Sequence, residues 1–181
     1  MAFNVSDFRG QLEFGGARPS LFEVQIFNPV NAAGDLKVPF MVRAAQLPGA
    51  TVGTVPISYF GRQVKLAGNR TFDPWTVTII NDEDFLIRNA IEEWNNQLNT
   101  FEGNLRTTGA TPSSYKSTAV VKQFAKDGTV LRTYEFDGLW CSDIAPIDLS
   151  WDAEGVQEYA VTFQYDYWRV QGGTTGDAGG V

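Results

Sequence analysis

LAGNRTFDPWTVTIINDEDF, Leu66 to Phe85, runs from a Gly-Asn-Arg turn through an aromatic-studded strand into an acidic stretch. Its middle, PWTVTIIN from Pro74 to Asn81, alternates Trp75, Val77 and Ile79 against Thr76, Thr78 and Ile80, the period of a β-strand. Asp82 can then cap a helix, with Glu83 and Asp84 in the first turn, where the helix dipole favours anions. Ile87, Ile91, Trp94 and Leu98 follow at helical spacing as one apolar stripe, which predicts a helix over residues 83–98. A strand leading directly into the chain's one convincing helical pattern sets the frame for the rest.

Upstream, SLFEVQIFN (Ser20 to Asn28) sets Phe22, Val24 and Ile26 against Glu23 and Gln25, a half-buried strand. NPVNAAGD reads as a loop. Lys37 to Gln46 reads as a second strand with Val38, Phe40 and Val42 on one face and Pro39 marking an edge or a strand start. LPGATVGTVPISYFGRQVKLAGNR, which follows, carries turn signals at Pro48-Gly49, Gly53, Gly61 and Gly68-Asn69, with short strand-like pieces between. It reads as a long arm or hairpin. A lone two-stranded hairpin is marginal in water, so the arm must lie on something, and another subunit is one candidate.

Downstream, residues 100–114 are loop-like. Tyr115 to Lys126 and Val130 to Asp137 flank Asp127-Gly128, a strong hairpin signal. Leu139 to Trp151 reads as another short strand ending near Trp151. Gln157 to Arg169 reads as one long strand with Tyr159, Val161, Phe163, Tyr165 and Tyr167 facing one way. The tail QGGTTGDAGGV has the composition of a flexible end without means of packing. The expected fold is mainly β: an antiparallel sandwich or barrel with one packed α-helix and a long protruding hairpin arm. A single domain over residues 1–170 is followed by a flexible Gly-rich tail over residues 171–181.

Composition narrows the function. A net charge of −7 over 181 residues lacks the cations a sequence-independent nucleic-acid binder needs. The chain has no His, which removes the commonest general base, the commonest metal ligand and every Ser-His or Cys-His nucleophile. The single Cys, Cys141, allows neither an intrachain disulfide nor a Cys-based zinc site, and it reads as a small packed residue. No apolar run follows Met1, and none approaches the about 20 residues that cross a membrane, so a soluble intracellular product is expected.

The acids could be catalytic. Asp82, Glu83 and Asp84 cluster, Asp148 and Asp152 flank Trp151, and paired carboxylates on a β-sandwich can cleave glycosides. Helix capping accounts for every acid of the first group, and the second decorates a loop. A calcium site at residues 81–84 lacks the alternating spacing and distal Glu of an EF-hand loop. The Gly-Asn-Arg turn carries no phosphate-loop pattern, and Arg70 could make a bidentate ion pair either within the fold or across a subunit boundary. Trp75, Trp94, Trp140 and Trp151 read as core. No catalytic residue, cofactor or metal ligand is assigned.

Several stretches carry a resemblance. They are GGARPSLFEVQI (Gly15 to Ile26), the run from Ala44 to Phe85 with its Leu-Pro-Gly turn and N-R-T-F-D-P-W-T-V core, YKSTAVVKQFAKDG (Tyr115 to Gly128), GLWCSDIAPIDLSWD (Gly138 to Asp152) and VTFQYDYW (Val161 to Trp168). In this order they resemble the tail tube protein family of contractile-tailed bacteriophages, whose subunits are similar to inner tubes of contractile injection systems. The resemblance implies a non-enzymatic virion protein, made in the host cytoplasm, without cofactors. It implies hexameric rings stacked into a hollow tube inside a contractile sheath, DNA passing through the lumen, and contacts with sheath, baseplate and tail-terminator proteins. The arm then becomes the expected subunit interface: Leu47, Pro48, Gly49, Ala50, Val55, Pro56, Tyr59, Arg62, Asn69 and Arg70. Alternatives are a baseplate tube initiator, a secretion-type inner tube carrying effectors, and, from another class, a carbohydrate-active β-sandwich.

Overall fold

The computed structural model describes residues 4–12, 15–107, 111–172 and 174–178. Strands β1 (Phe22–Ile26), β2 (Val42–Ala45), β5 (Trp75–Ile80), β6 (Ser117–Phe124), β7 (Val130–Ile144), β8 (Glu158–Gln164) and β9 (Tyr167–Gln171) join in one antiparallel network. Its order is β1-β6-β7-β8-β5-β2, with β9 paired to β7 off that path. Strands β3 (Thr51–Tyr59) and β4 (Arg62–Thr71) pair only with each other. Helices α1 (Val5–Gln11), α2 (Val38–Met41) and α3 (Leu86–Leu98) complete the described elements, with short 3-10 turns at Ala32–Gly34 and Pro112–Ser114.

The core forms where both halves of the network meet α3. Val24, Val77, Ile79, Val121, Val161 and Phe163 are fully enclosed, as are Trp75 and Trp94. Rings continue from Trp94 through Phe163 to Trp75 and on to Phe136, the last pair stacked at 4.4 Å. Trp94 also donates its indole N–H to the Tyr115 carbonyl at 3.0 Å, so burial leaves no polar atom stranded there. Cys141 is sealed in this core, and desolvation pushes its thiol up to about 12.

The turn from one half of the network to the other is made by β7. Its first part pairs with β6 and β9, and its end pairs with β8. Gly138, at φ +71°, sits at the changeover. There Asp166 donates its backbone N–H to the Asp137 carbonyl at 2.9 Å. Its carboxylate holds the Lys116 ammonium at 2.6 and 2.7 Å.

Several expectations are corrected. Leu139 to Trp151 is not a separate strand: Leu139–Ile144 completes the 15-residue β7, because Gly138 lets the strand change direction without stopping. The long strand over 157–169 is two, β8 and β9, divided where Asp166 turns the chain onto β7. Val38, Phe40 and Val42 do not share a strand face. Residues 38–41 form the one-turn α2, in which Val38 enters the core and Phe40 points outward.

The helix begins at Leu86 rather than residue 83, because Phe85 adopts a left-handed conformation at φ 51° that helical geometry excludes. Asp82 and Asp84 therefore stand in a preceding turn, closed by the Phe85 N–H donating to the Asp82 carbonyl at 3.0 Å. Trp151 is not core but fully exposed, beyond the end of β7. Helix α1, which no sequence pattern announced, starts with the Asn4 carboxamide accepting from the Ser6 N–H and buries nothing within this chain. The first part of the Gly-rich tail is tied down, since the Thr174 and Thr175 N–H groups donate to the Val130 and Leu131 carbonyls.

Candidate assembly surface

The arm is the largest feature that the core does not explain. Every residue from Thr51 to Thr71 is exposed except Gly68, which is half-buried. Register fixes its two faces. Val55 opposes Leu66, Ile57 opposes Val64 and Tyr59 opposes Arg62, which puts four aliphatic side chains and a tyrosine on one side. Thr54, Pro56, Ser58, Gln63, Lys65 and Ala67 take the other. A sheet face of that composition normally packs against something.

Gly53 and Gly68-Asn69 are not turns. They lie within the ladder, two residues of β4 opposite one of β3, as a bulge that sets a bend near the base. The turn itself is Phe60-Gly61, with φ 45° and 77°, both in the positive range that hairpin turns require. Gly61 suits it. Phe60 does not: a bulky residue there is strained, yet its ring is 89% exposed and stands edge-on to Tyr59 at 4.5 Å.

The root is fixed to the core. Trp75 donates its indole N–H to the Gln46 carbonyl at 2.8 Å, and Trp168 donates to the Gly49 carbonyl at 3.0 Å. Of the residues expected at an interface, Leu47, Pro48, Gly49 and Ala50 thus form the root. Asn69 lies in the bulge and Arg70 beside it, Val55, Tyr59 and Arg62 share the apolar face, and Pro56 is on the polar one. They occupy one arm but not one patch. Ile57, Val64, Leu66 and Phe60, outside the expected set, are exposed on the same hairpin, and the spacing of Val55, Ile57 and Tyr59 already carried a period of two. Among the described residues Arg62, Lys65 and Arg70 form no ion pair within the chain.

Asp82 and Asp84 are not set up as general acids. Lys37 bridges Asp82 at 2.6 Å and Asp84 at 2.5 Å, and its ammonium fills the space a cation would take. The hydrogen bonds from Lys37 lower both carboxyls, whereas a glycosidase acid has to be raised. No group of three or more metal-ligating side chains occurs among the described residues. No helix among them is long and apolar enough to cross a membrane.

The sequence profile of the family described as phage tail tube protein matches residues 17–171. The chain belongs to that family. It is 36% identical over 170 residues to the tail tube protein gp19 of Enterobacteria phage T4, covering 93% of this chain and 95% of the relative. Against the tail tube protein of Serratia phage KSP90 it is 25% identical over 154 residues, 82% of this chain and 86% of the relative. The fold is that of contractile-injection tube components. It superposes on a subunit of the anti-feeding prophage cap with a TM-score of 0.64 at 14% identity, covering 86% and 91% of the two chains. On a subunit of an extracellular contractile injection system sheath–tube complex the TM-score is 0.60 at 12% identity, covering 94% and 99%. As a tail tube protein the chain is a structural virion component and not an enzyme.

Proposed function

We propose that this tail tube protein closes into hexameric rings and that the rings stack into the hollow conduit through which DNA leaves the particle, with the sheath outside and baseplate and terminator proteins at the ends. The observation that carries the reading is the arm: some twenty residues of regular hairpin with an apolar face that its own chain leaves bare. Paired strands on their own are marginal, so such an arm is stable only against another surface. Strands β1, β2 and β9 also end the network with one side unpaired among the described residues, and edges of that kind pair with copies of themselves unless something blocks them. A closed ring removes those edges. Contacts that close make rings, and contacts that do not close make filaments; a stack of rings needs both.

The test is replacement of residues 51–71 by a short Gly-Ser linker that keeps the root on Trp75 and Trp168. The variant is expected to fold with the core's thermal midpoint intact and to form no tubes in electron micrographs, while the parent forms long hollow rods. Rods of normal length from the armless variant would refute the assembly role of the arm. Copy number in purified tails checks the tube role against a baseplate or terminator role, since a tube subunit outnumbers either many times over.

A further inference from the structure

Beyond its last strand the chain folds back on its own sheet. The residues that match the family end at 171, and the tail lies past them. Strand β9 pairs with β7 from Tyr167 opposite Asp137 to Gln171 opposite Thr133, so on that side residues 130–132 of β7 lie outside the ladder. The tail takes two of them. Thr174 and Thr175 donate their N–H groups to the Val130 and Leu131 carbonyls, each at 3.3 Å, and the Thr175 hydroxyl donates to the Leu131 carbonyl at 2.7 Å. Gly172, at φ +52°, turns the chain out of line, and its N–H donates to the Asp177 carboxylate, which gathers the segment into a short strap along the edge of β7.

The strap is weakly held. Five of the nine residues 172–180 are glycine and none has an apolar side chain larger than a methyl group, so hydrophobic burial contributes almost nothing. Glycine loses the most backbone freedom on ordering, and the two N–H bonds are at the long limit for their kind. A segment with few apolar contacts and exposed hydrogen bonds opens locally at little cost.

What it borders has the make-up of a docking surface. Thr175 is on the rim of a depression of about 240 Å³, together with Leu47, Leu131, Arg132 and Tyr134. The Arg132 guanidinium lies over the Tyr134 ring at 5.6 Å, and its Nε is buried without a hydrogen-bond acceptor. Among the described residues no acid pairs with it. Apolar walls around an arginine and a tyrosine are the composition of an interface centre. Leu47 also begins the root of the arm, so the depression is continuous with the surface that carries the assembly reading.

We propose that the tail is an autoinhibitory strap. The segment around Thr174 and Thr175 closes over the start of β7 and the Arg132 depression, and a sister copy displaces it on docking there during assembly. This rests on the tube reading and adds a brake to it. A single chain is mostly closed, and its apparent affinity for another copy falls by the fraction that is open. Three hydrogen bonds offset by glycine ordering set a brake of about three- to ten-fold.

Two variants test it. Deletion of residues 172–181 removes the strap, and Thr174→Pro with Thr175→Pro keeps its length and charge while removing both N–H donors and the hydroxyl. Each is expected to lower the concentration at which tubes first sediment by about three- to ten-fold, with the monomer's circular dichroism and thermal midpoint unchanged. Fast hydrogen exchange on the parent is the second readout. The Thr174 and Thr175 amides are expected to be slowed about three- to ten-fold in the monomer and to lose that protection in tubes, the reverse of amides that assembly covers. If either variant needs the parent's concentration or more, or if those two amides gain protection in tubes, the strap is not a brake and the tube reading stands. If the parent forms no tubes, the tube reading fails and the strap with it.

Discussion

Two single residues decide more than their size suggests. Gly138 is one, because φ +71° is available to glycine and the space a Cβ would fill is taken: it would lie 2.6 Å from Cγ and 3.1 Å from Cβ of Asp166. Asp166 cannot swing away without releasing Lys116. Gly138→Ala is therefore expected to destabilise the fold by about 3 kcal/mol or more, combining left-handed strain with the clash, as a fall in the urea midpoint. Lys37 is the other. Its bridge holds Asp82 and Asp84 below their ordinary 3.8 and lifts the lysine above 10.5, chiefly through the hydrogen bonds between them. The sign follows for each group. The lowered carboxyls contribute stability that is complete above their unfolded value and lost as pH falls through the depressed folded one. The raised lysine contributes stability that is complete below 10.5 and lost as pH rises through the lifted folded value. The acid limb of a stability–pH curve should thus lie below pH 3.8 for this cluster, and Lys37→Met should make that limb shallower. A curve of unchanged slope would remove the bridge as a contributor.

At the scale of elements, what the sequence made legible followed the local pattern. Strand β5, helix α3 and the Asp127-Gly128 hairpin were readable because one face of each is buried in this chain, so the 2.0 and 3.6 periods are written in apolar residues. The arm was readable as an arm for the opposite reason, turn residues without a core. Its bulge at Gly68-Asn69 looked like a turn because glycine and asparagine serve both, and only pairing partners distinguish them. The joins were not legible. That β7 continues through Gly138, or that β8 and β9 separate at Asp166, depends on contacts between residues far apart in sequence. Trp151 was misplaced because a tryptophan is ordinarily buried, and the loop carries no signal for where its side chain ends. The residues expected at an interface could be assigned to a limb but not to its faces, since the register is set by Phe60-Gly61. Hydrogen exchange should reflect the same division. Amides of β3 and β4 are expected to exchange quickly in the monomer and slowly in tubes, while those of β5 and β8 stay slow in both. Arm amides that remain fast in tubes would mean that the arm is not covered.

For the molecule as a whole, charge is the lever. The arm's three cations are exposed, so an ion pair that they make with another copy would be screened over about 8–10 Å at moderate salt. Assembly is expected to weaken as salt rises from about 0.05 to about 0.5 M, measured as the concentration at which tubes first sediment, whereas the monomer's melting temperature barely moves. Salt-indifferent assembly would leave the apolar face as the sole driver. Near neutrality pH should matter little: the chain has no His and Cys141 is pushed up to about 12, so the side chains that ordinarily titrate there are absent or silent. The rooting of the hairpin at one end of β5 has a further consequence if the limb reaches a sister copy. Copies joined that way all point in one sense, like arrows laid nose to tail. A rod joined that way would show bare hairpins at one extremity and uncovered receiving surfaces at the other, so whatever starts growth and whatever stops it would carry different halves of the same joint.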